Sequence, residues 1–550
     1  MTAPSIGPMS RTEWLIVGGL LTIFVILAGG SSQRVTHTFD EGAHYSYGRQ
    51  ILALNASRGN DNSKMPFSIL NVLPGKVAGW IWPHTWGRRR ESITLGRFAT
   101  VACGVLLGWL VFRWSRALYG PAAGLLSLTL YVFEPNILAH AGLVTTDLYA
   151  AWMMTVAVWS FWRFLNYVGP HVWRMATLSA LLVGLAQHAK FSAMFLLIIL
   201  PLTALGHAAP DLWALLRAGQ LRVVGRRLVR AAQFTALYVV VGLLVVHVGY
   251  LGLGTFKPFR DHIFQSNALR MAQDGLGPLA RVGLPVPAPF IEGLDRVLAN
   301  ERTGYDVYLL GQLGRDGVAG QRFPDYFWIA WLYKLPIGTQ VLVLLALVAY
   351  LLRFRQFDFR RNEWPIACTV LFFAWYLTFV YNFQIGLRHA LMVHPFVLVF
   401  AGSLLYARRD VYGAARVALA AVLIWVAVSV VSYYPHFLAY FNEFIGNRKN
   451  GYRVLVDSNL DWGQTERVKR RYLARHPEVY EDVYGPQAGR LLVAANLYTG
   501  YIGRERFRWL RENFTPVGHV GYAYLLFDVS PEALRRVTDP IPPDYADKIN

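Results

Sequence analysis

The chain has 550 residues, of which 55% are hydrophobic and only 16% charged, and 53 Lys and Arg against 33 Asp and Glu give a formal net charge of +20. A charged share well below the roughly 25% of a soluble domain, with apolar residues gathered in long blocks, excludes a disordered chain, a disulfide scaffold and an ordinary soluble enzyme. The basic excess is dispersed between those blocks, which fits the orientation of membrane spans rather than nucleic-acid binding.

A helix needs about 20 apolar residues to cross the hydrocarbon layer. Eleven such blocks follow one another, at 14–30, 94–112, 121–136, 144–165, 174–189, 191–207, 232–252, 328–352, 365–385, 389–407 and 413–432. The first is not read as a cleaved leader, because Glu13 abuts it, no small-x-small site follows Gly30 and ten further blocks come after it. With the N-terminus cytoplasmic, the inner loops hold Arg113 and Arg116, then Arg163 and Arg174, then Arg217, Arg222, Arg226, Arg227 and Arg230. Arg353, Arg355, Arg360 and Arg361 follow, and last Arg408, Arg409 and Arg416. The short outer turns hold only Lys190 and Arg388, so the basic residues set one orientation for the whole chain. Three larger outer pieces remain, at 31–92, 253–327 and 433–550. The expected fold is therefore a polytopic α-helical membrane unit over 1–432, in a bacterial inner membrane, with a small extracytoplasmic α/β tail over 433–550. Within the tail, Tyr452–Asp457, Leu491–Leu497 and Tyr522–Val529 read as short strands and Thr465–Arg475 as a helix. Cys103 and Cys368 both lie inside apolar blocks, so no disulfide framework is implied.

Ionisable residues at membrane depth cost about 2.5–3.5 kcal/mol each on insertion scales, and those sharing one face are functional candidates. Asp40 and Glu41 lie just beyond the outer end of the first block. Asp147 opens the fourth block, Lys190 occupies the turn before the sixth, and Arg388 and His389 open the tenth. Separate segments thus bring acids and bases to the outer face. A carboxylate can take a proton from a hydroxyl nucleophile, and fixed cations can stabilise charge developing on a departing phosphate. A lipid-linked sugar phosphate calls for both, together with a groove for its tail. Lys64, in the first outer loop, is a further candidate phosphate contact. The bland reading of each residue is a helix cap or a side chain reaching the interface.

Several of these motifs carry a resemblance. Asp40-Glu41-Gly42-Ala43-His44, then Glu134-Pro135-Asn136 leading to Thr145-Thr146-Asp147, resembles the protein O-mannosyltransferases (glycosyltransferase family 39) and, more broadly, the membrane glycosyltransferases of the GT-C fold, the aminoarabinose transferases of lipid A among them. Arg388-His389-Ala390-Leu391-Met392-Val393-His394-Pro395 is similar to a late span of the same family. Tyr434-Pro435-His436-Phe437 and Asp457-Ser458-Asn459-Leu460-Asp461-Trp462-Gly463-Gln464 resemble a bacterial branch, the phospholipid-carrier-dependent glycosyltransferases. The resemblance implies a polyprenyl-phosphate sugar donor, inversion at the anomeric carbon, and Asp40 as general base. Glu41 and Asp147 would orient the site or the acceptor, and Lys64, Lys190 and Arg388 would hold the donor phosphate. The chain lacks room for the large lumenal insert of the eukaryotic mannosyltransferases, which puts a protein acceptor in doubt.

In the tail motif, Asp461 suits a helix cap, and equally a sugar or phosphate contact with Trp462 stacking on a ring. His44 and His389 are further candidate acceptor or sugar contacts. A divalent cation stays open, with His37 and His140 also near the outer face but no paired His spacing to support it. The rival class is a transporter or flippase, which would place ionisable groups near the bilayer midplane and show inverted repeats. Neither is visible. A polymerase or ligase moving whole glycans would share the chemistry and differ in the size of its product.

Overall fold

The computed structural model describes residues 7–58, 64–82, 92–314, 322–406 and 413–537; Arg408, Arg409 and the end of the expected tail lie outside them. The first long helix, Arg11–Arg34, starts on a capping box in which the Ser10 hydroxyl accepts from the Glu13 N–H and the Glu13 carboxylate accepts from the Ser10 N–H. The same carboxylate pairs with Arg116 at 2.8 Å, fastening this end to the close of the helix Ile93–Tyr119. The two helices run antiparallel at close range. A Cβ added at Gly104 would stand 2.7 Å from the Phe24 ring, so only glycine admits that approach.

Among the described residues, six helices are long and apolar enough to cross a membrane, and up to eight if each of two bent pairs counts as one span. This is a multi-pass membrane protein with fewer such helices than the eleven expected. The blocks at 174–189 and 365–385 form the helices Val172–Ala186 and Trp364–Phe379, of 15 and 16 residues. At 1.5 Å per residue neither reaches about 30 Å. The block at 121–136 is the start of a pair, Pro121–Val132 and Pro135–Ala141, bent by 63°. Thr146–Leu165 carries Asp147 and Arg163 and falls outside the apolar set.

The block at 328–352 is likewise no single span. Tyr326–Lys334 and Ile337–Leu352 meet at 112° across Leu335-Pro336. Proline cannot continue the ladder, so carbonyls at the corner need other donors. The side-chain amides of Gln340 and Asn442 both donate to the carbonyls of Leu332 and Leu335, at 2.6–2.9 Å. Lys334, buried at the same corner, donates to the carbonyls of Leu438 and Asn459 at 2.7 and 2.6 Å.

Of the three larger pieces outside the apolar blocks, the first contributes the helices Glu41–Leu52 and Ile69–Ile81. The second contributes Asn267–Gly275, Ala288–Thr303 and a two-stranded antiparallel ribbon, β1 Tyr308–Leu309 with β2 Gln312–Leu313. The tail holds β3 Val479–Glu481, β4 Gly489–Ala494, β5 Gly518–Val520 and β6 Tyr524–Val529, in the sheet order β3-β4-β6-β5 with β3 and β4 parallel and the other pairs antiparallel. The helix Glu466–Leu473 occupies the charged stretch. Tyr452–Asp457 is not a strand: short 3-10 turns at Arg448–Arg453 and Asp457–Asn459 fill it, and Asp457 takes a left-handed φ of 56°. Val454, Leu455, Leu460 and Leu491 share one apolar core with Leu377 and Leu391, so the tail and the helical unit are packed together.

Candidate active site

The loop that follows the first long helix is anchored by a buried ion pair. Arg97, inside the apolar start of the helix Ile93–Tyr119, donates Nε and Nη2 to the two Glu41 oxygens at 2.7 and 2.6 Å. Its remaining N–H groups meet the carbonyls of Ser32, Val35 and Thr36, where the helix Arg11–Arg34 ends and leaves acceptors unpaired. Glu41 also accepts from the N–H groups of Val144 and Thr38. Burial alone would raise its carboxyl, but Arg97 and those N–H groups hold it below the usual carboxylate range. Glu41 therefore has no open face. It fixes Asp40, the next residue back, and the Leu143–Val144 turn that precedes Asp147.

Asp147 sits in the first turn of Thr146–Leu165, where a carboxylate is favoured by the helix dipole, and is 2% exposed. The Lys190 ammonium lies 2.6 Å from Oδ1, and Arg388 Nη1 and His140 Nδ1 lie 3.9 and 3.7 Å from Oδ2. The same Arg388 Nη1 stands 3.2 Å from Asp40 Oδ2. A row Asp40–Arg388–Asp147–Lys190 results, in which Arg388 links the two acids. Asp40 differs from Asp147 in being 37% exposed, the only carboxylate of the row with room for a substrate.

Four buried polar atoms here have no hydrogen-bond partner among the described residues: Asp147 Oδ2, His140 Nδ1, Arg388 Nε and His389 Nε2. Orphaned groups of this kind are rare in packed interiors and mark a place built to receive polar atoms. Arg388 lies on the 3-10 turn Leu387–Val393, which opens the apolar helical run Leu387–Leu405. His389 accepts or donates at Nδ1 to the Tyr381 hydroxyl at 2.7 Å.

The tail packs against the segment that bears Arg388. Asn459 accepts from the Leu387 N–H at 2.9 Å and donates to the Tyr326 hydroxyl, and Ser458 donates to the Ile385 carbonyl. The Arg388 guanidinium lies 4.0 Å over the centre of the Trp462 ring. Trp462 thus stacks on a protein cation, which ties the tail to the site. Asp461 faces its own turn, accepting from the Gly463 N–H and the Thr465 hydroxyl, and the helix opens only at Glu466. Gly463, at φ 90°, supplies the left-handed step that turn requires. Burial raises the carboxyls of Asp457 and Asp461 to about 6, with the Arg388 charge opposing the rise at Asp457.

Lys64 does not join the row. Its ammonium donates to the Arg58 carbonyl at 3.1 Å, beside Met65 and Tyr250. His44 is buried on the helix Glu41–Leu52. Among the described residues no group of three His, Cys, Asp or Glu could hold a metal ion, and the carboxylates present already face cations. The donor set does not fit a divalent cation. Glu134, in the Glu-Pro-Asn motif, caps the helix Pro135–Ala141 through the Ile137 N–H and lies 3.4 Å from His394, and that helix carries His140. Arg97 was not singled out from the sequence, and Asp457 and Asn459 entered only as part of the tail motif, without a role of their own. A charge inside an apolar block was the available signal for Arg97.

No curated protein sequence matches the chain. Among solved structures it is similar to the Archaeoglobus fulgidus oligosaccharyltransferase in the apo form, at 14% identity and a TM-score of 0.44 over 76% of this chain and 55% of that one. It is also similar to archaeal oligosaccharyltransferase AglB from Archaeoglobus fulgidus in complex with an inhibitory peptide and a dolichol-phosphate, at 13% identity and a TM-score of 0.45 over 84% of this chain and 59% of that one. The chain thus spans somewhat over half the length of these two. A third similarity is to ArnT from Cupriavidus metallidurans bound to undecaprenyl phosphate, at 12% identity and a TM-score of 0.32 over 94% of this chain and 98% of that one. Residues 89–224 match the family model described as dolichyl-phosphate-mannose-protein mannosyltransferase, a stretch that includes Asp147 and Lys190, so the mannosyltransferase-like resemblance read from the motifs is also found by the family comparison.

Proposed function

We propose that this chain is an inverting glycosyltransferase that moves a sugar from a polyprenyl-phosphate donor to an acceptor hydroxyl at the outer face of a bacterial inner membrane. The observation that carries the reading is Arg388 standing between an open carboxylate, Asp40, and a buried one, Asp147, which also holds Lys190. The match of residues 89–224 to the mannosyltransferase model supports the same class.

In this reading the acceptor oxygen attacks the anomeric carbon as the bond to the phosphate oxygen breaks, and the acceptor proton passes to Asp40. Arg388 and Lys190 stabilise the charge gathering on the departing lipid phosphate. Asp147 is their counter-ion, holding two cations together before the donor arrives. Glu41 is a positioning residue acting through Arg97 and the Val144 turn, and His140 and His389 offer their orphaned nitrogens to sugar hydroxyls or phosphate.

The test is mass spectrometry of glycoconjugates from cells with and without the gene. One sugar is expected to disappear from a lipid, glycan or protein, naming donor and acceptor together. An unchanged profile, with uptake of a polar solute by proteoliposomes bearing the purified chain, would replace the reading with transport.

A further inference from the structure

The helix Leu221–Gly249 ends with Gly249 packed on His188, two residues before Lys190 of the candidate site, and Tyr250 then donates and accepts among Arg58 and Met65. From there back to Arg222 is roughly 40 Å of helix at 1.5 Å per residue, enough to traverse the bilayer. Its first turns therefore stand at the opposite membrane face. Arg222, Arg226 and Arg230 recur there every four residues, which places them on one stripe of the helix surface. They line a groove of about 870 Å³ with Trp173, from the start of the neighbouring helix Val172–Ala186, and Gln233.

All three arginines are exposed, and among the described residues none forms an ion pair with a carboxylate. The carboxylates of that face have other partners: Asp211 pairs with Arg360 and Asp358 with Arg361. Beside the stripe, Leu221, Leu228 and Val229 are exposed and apolar. Orienting the span requires only that positive charge lie somewhere in this loop. It does not require a four-residue repeat around a groove with a tryptophan wall and an apolar margin.

We infer that this groove binds the headgroup of an anionic phospholipid in the leaflet opposite the candidate site. The arginines take the phosphodiester oxygens, Trp173 lies at the level of the glycerol, and the acyl chains run into the bilayer along the same stripe over Val240 and Leu244, both exposed. A soluble acidic partner would match the charge but not the apolar margin, which suits chains entering the bilayer. The inference does not depend on the sugar-transfer reading.

The test is native mass spectrometry of the full detergent-purified chain titrated with phosphatidylglycerol, diphosphatidylglycerol or phosphatidylcholine. The wild-type chain is expected to retain the two anionic lipids and not phosphatidylcholine, with retention falling as salt rises. The variant R222Q/R226Q/R230Q is expected to bind them about a hundredfold more weakly. R353Q/R355Q, at another basic loop, is expected to bind as the wild type does. A charge-keeping R222K/R226K/R230K chain is expected to recover most of the binding, which separates lost charge from lost folding. Equal retention of phosphatidylcholine by the wild type, salt-independent retention, or full retention by the glutamine variant would each overturn the inference, and displacement of the lipid by inorganic phosphate alone would reassign the groove to free anions.

Discussion

At the scale of the residue, the candidate site separates carboxylates by what surrounds them. Asp147 is enclosed by two cations, Glu41 is consumed by Arg97 and backbone N–H groups, and Asp40 alone keeps an open side. Asp457 is a fourth, half-buried, with its carboxyl raised to about 6. Above that pH its charge competes with a donor phosphate for Arg388, and below it the competition ends. The donor KM is expected to fall as pH drops through about 6, and D457N to hold the low value throughout. A steady-state titration of donor across that pH range checks it, and a D457N profile with the wild-type slope would remove Asp457 from the site. The sign for stability runs the same way. A carboxyl raised above its ordinary 3.8 binds more protons folded than unfolded, so its contribution declines as pH rises from 3.8 to about 6.

Asp40, Asp147, Lys190 and Arg388 were legible in the sequence because each is a charge at the end of an apolar block, and the alternation of basic loops assigns those ends to one face. Asp461 was misplaced for a local reason. Its carboxylate is two residues from the Gly463 N–H, and a turn satisfies it before any helix begins. Lys64 was misplaced because its loop turns toward Arg58.

At the scale of the element, two devices hold the site. The Glu41–Arg97 pair fastens the loop after the first long helix to a membrane helix with both side chains at most 1% exposed. Removing one charge from such a pair leaves the other buried and uncompensated. E41Q is expected to destabilise the chain by about 3 kcal/mol, read as a lower thermal midpoint in detergent, whereas D40N should leave that midpoint unchanged. Equal midpoints for E41Q and the wild type would show that the loop is held by other contacts. The second device is the stack of Arg388 on Trp462. W462A is expected to raise the donor KM about tenfold with a smaller change in kcat, because Arg388 loses its support and keeps its charge. A fall in kcat alone would place Trp462 against the acceptor.

Elements were less legible than residues where the chain bends. Leu335-Pro336 sits within a largely apolar stretch, and side-chain amides far apart in sequence, those of Gln340 and Asn442 with that of Asn136 at the Lys334 carbonyl, help make a 112° corner tenable. The run Val454-Leu455-Val456 has the look of a strand, yet it is buried in the core shared with the membrane helices and carries no ladder. Its neighbours Ser458 and Asn459 instead bind the backbone at Ile385 and Leu387, which is how the tail reaches Arg388.

At the scale of the whole molecule, one face gathers the acid-and-cation row and the opposite face presents the arginine groove, with a continuous core running between the helices and the tail. Such an arrangement suits a lipid-borne substrate, whose phosphate lies at the headgroup level and whose tail remains among the helices. The central claim is that Asp40 takes the acceptor proton while Arg388 and Lys190 receive the departing phosphate. Its most direct measurement is turnover of a purified polyprenyl-phosphate sugar by the wild-type chain and by D40N, following free lipid phosphate and the anomeric configuration of the product. The expected result is an inverted product from the wild type and a rate at least about a hundredfold lower from D40N, at an unchanged melting point. Undiminished turnover by D40N, or a product of retained configuration, would contradict it.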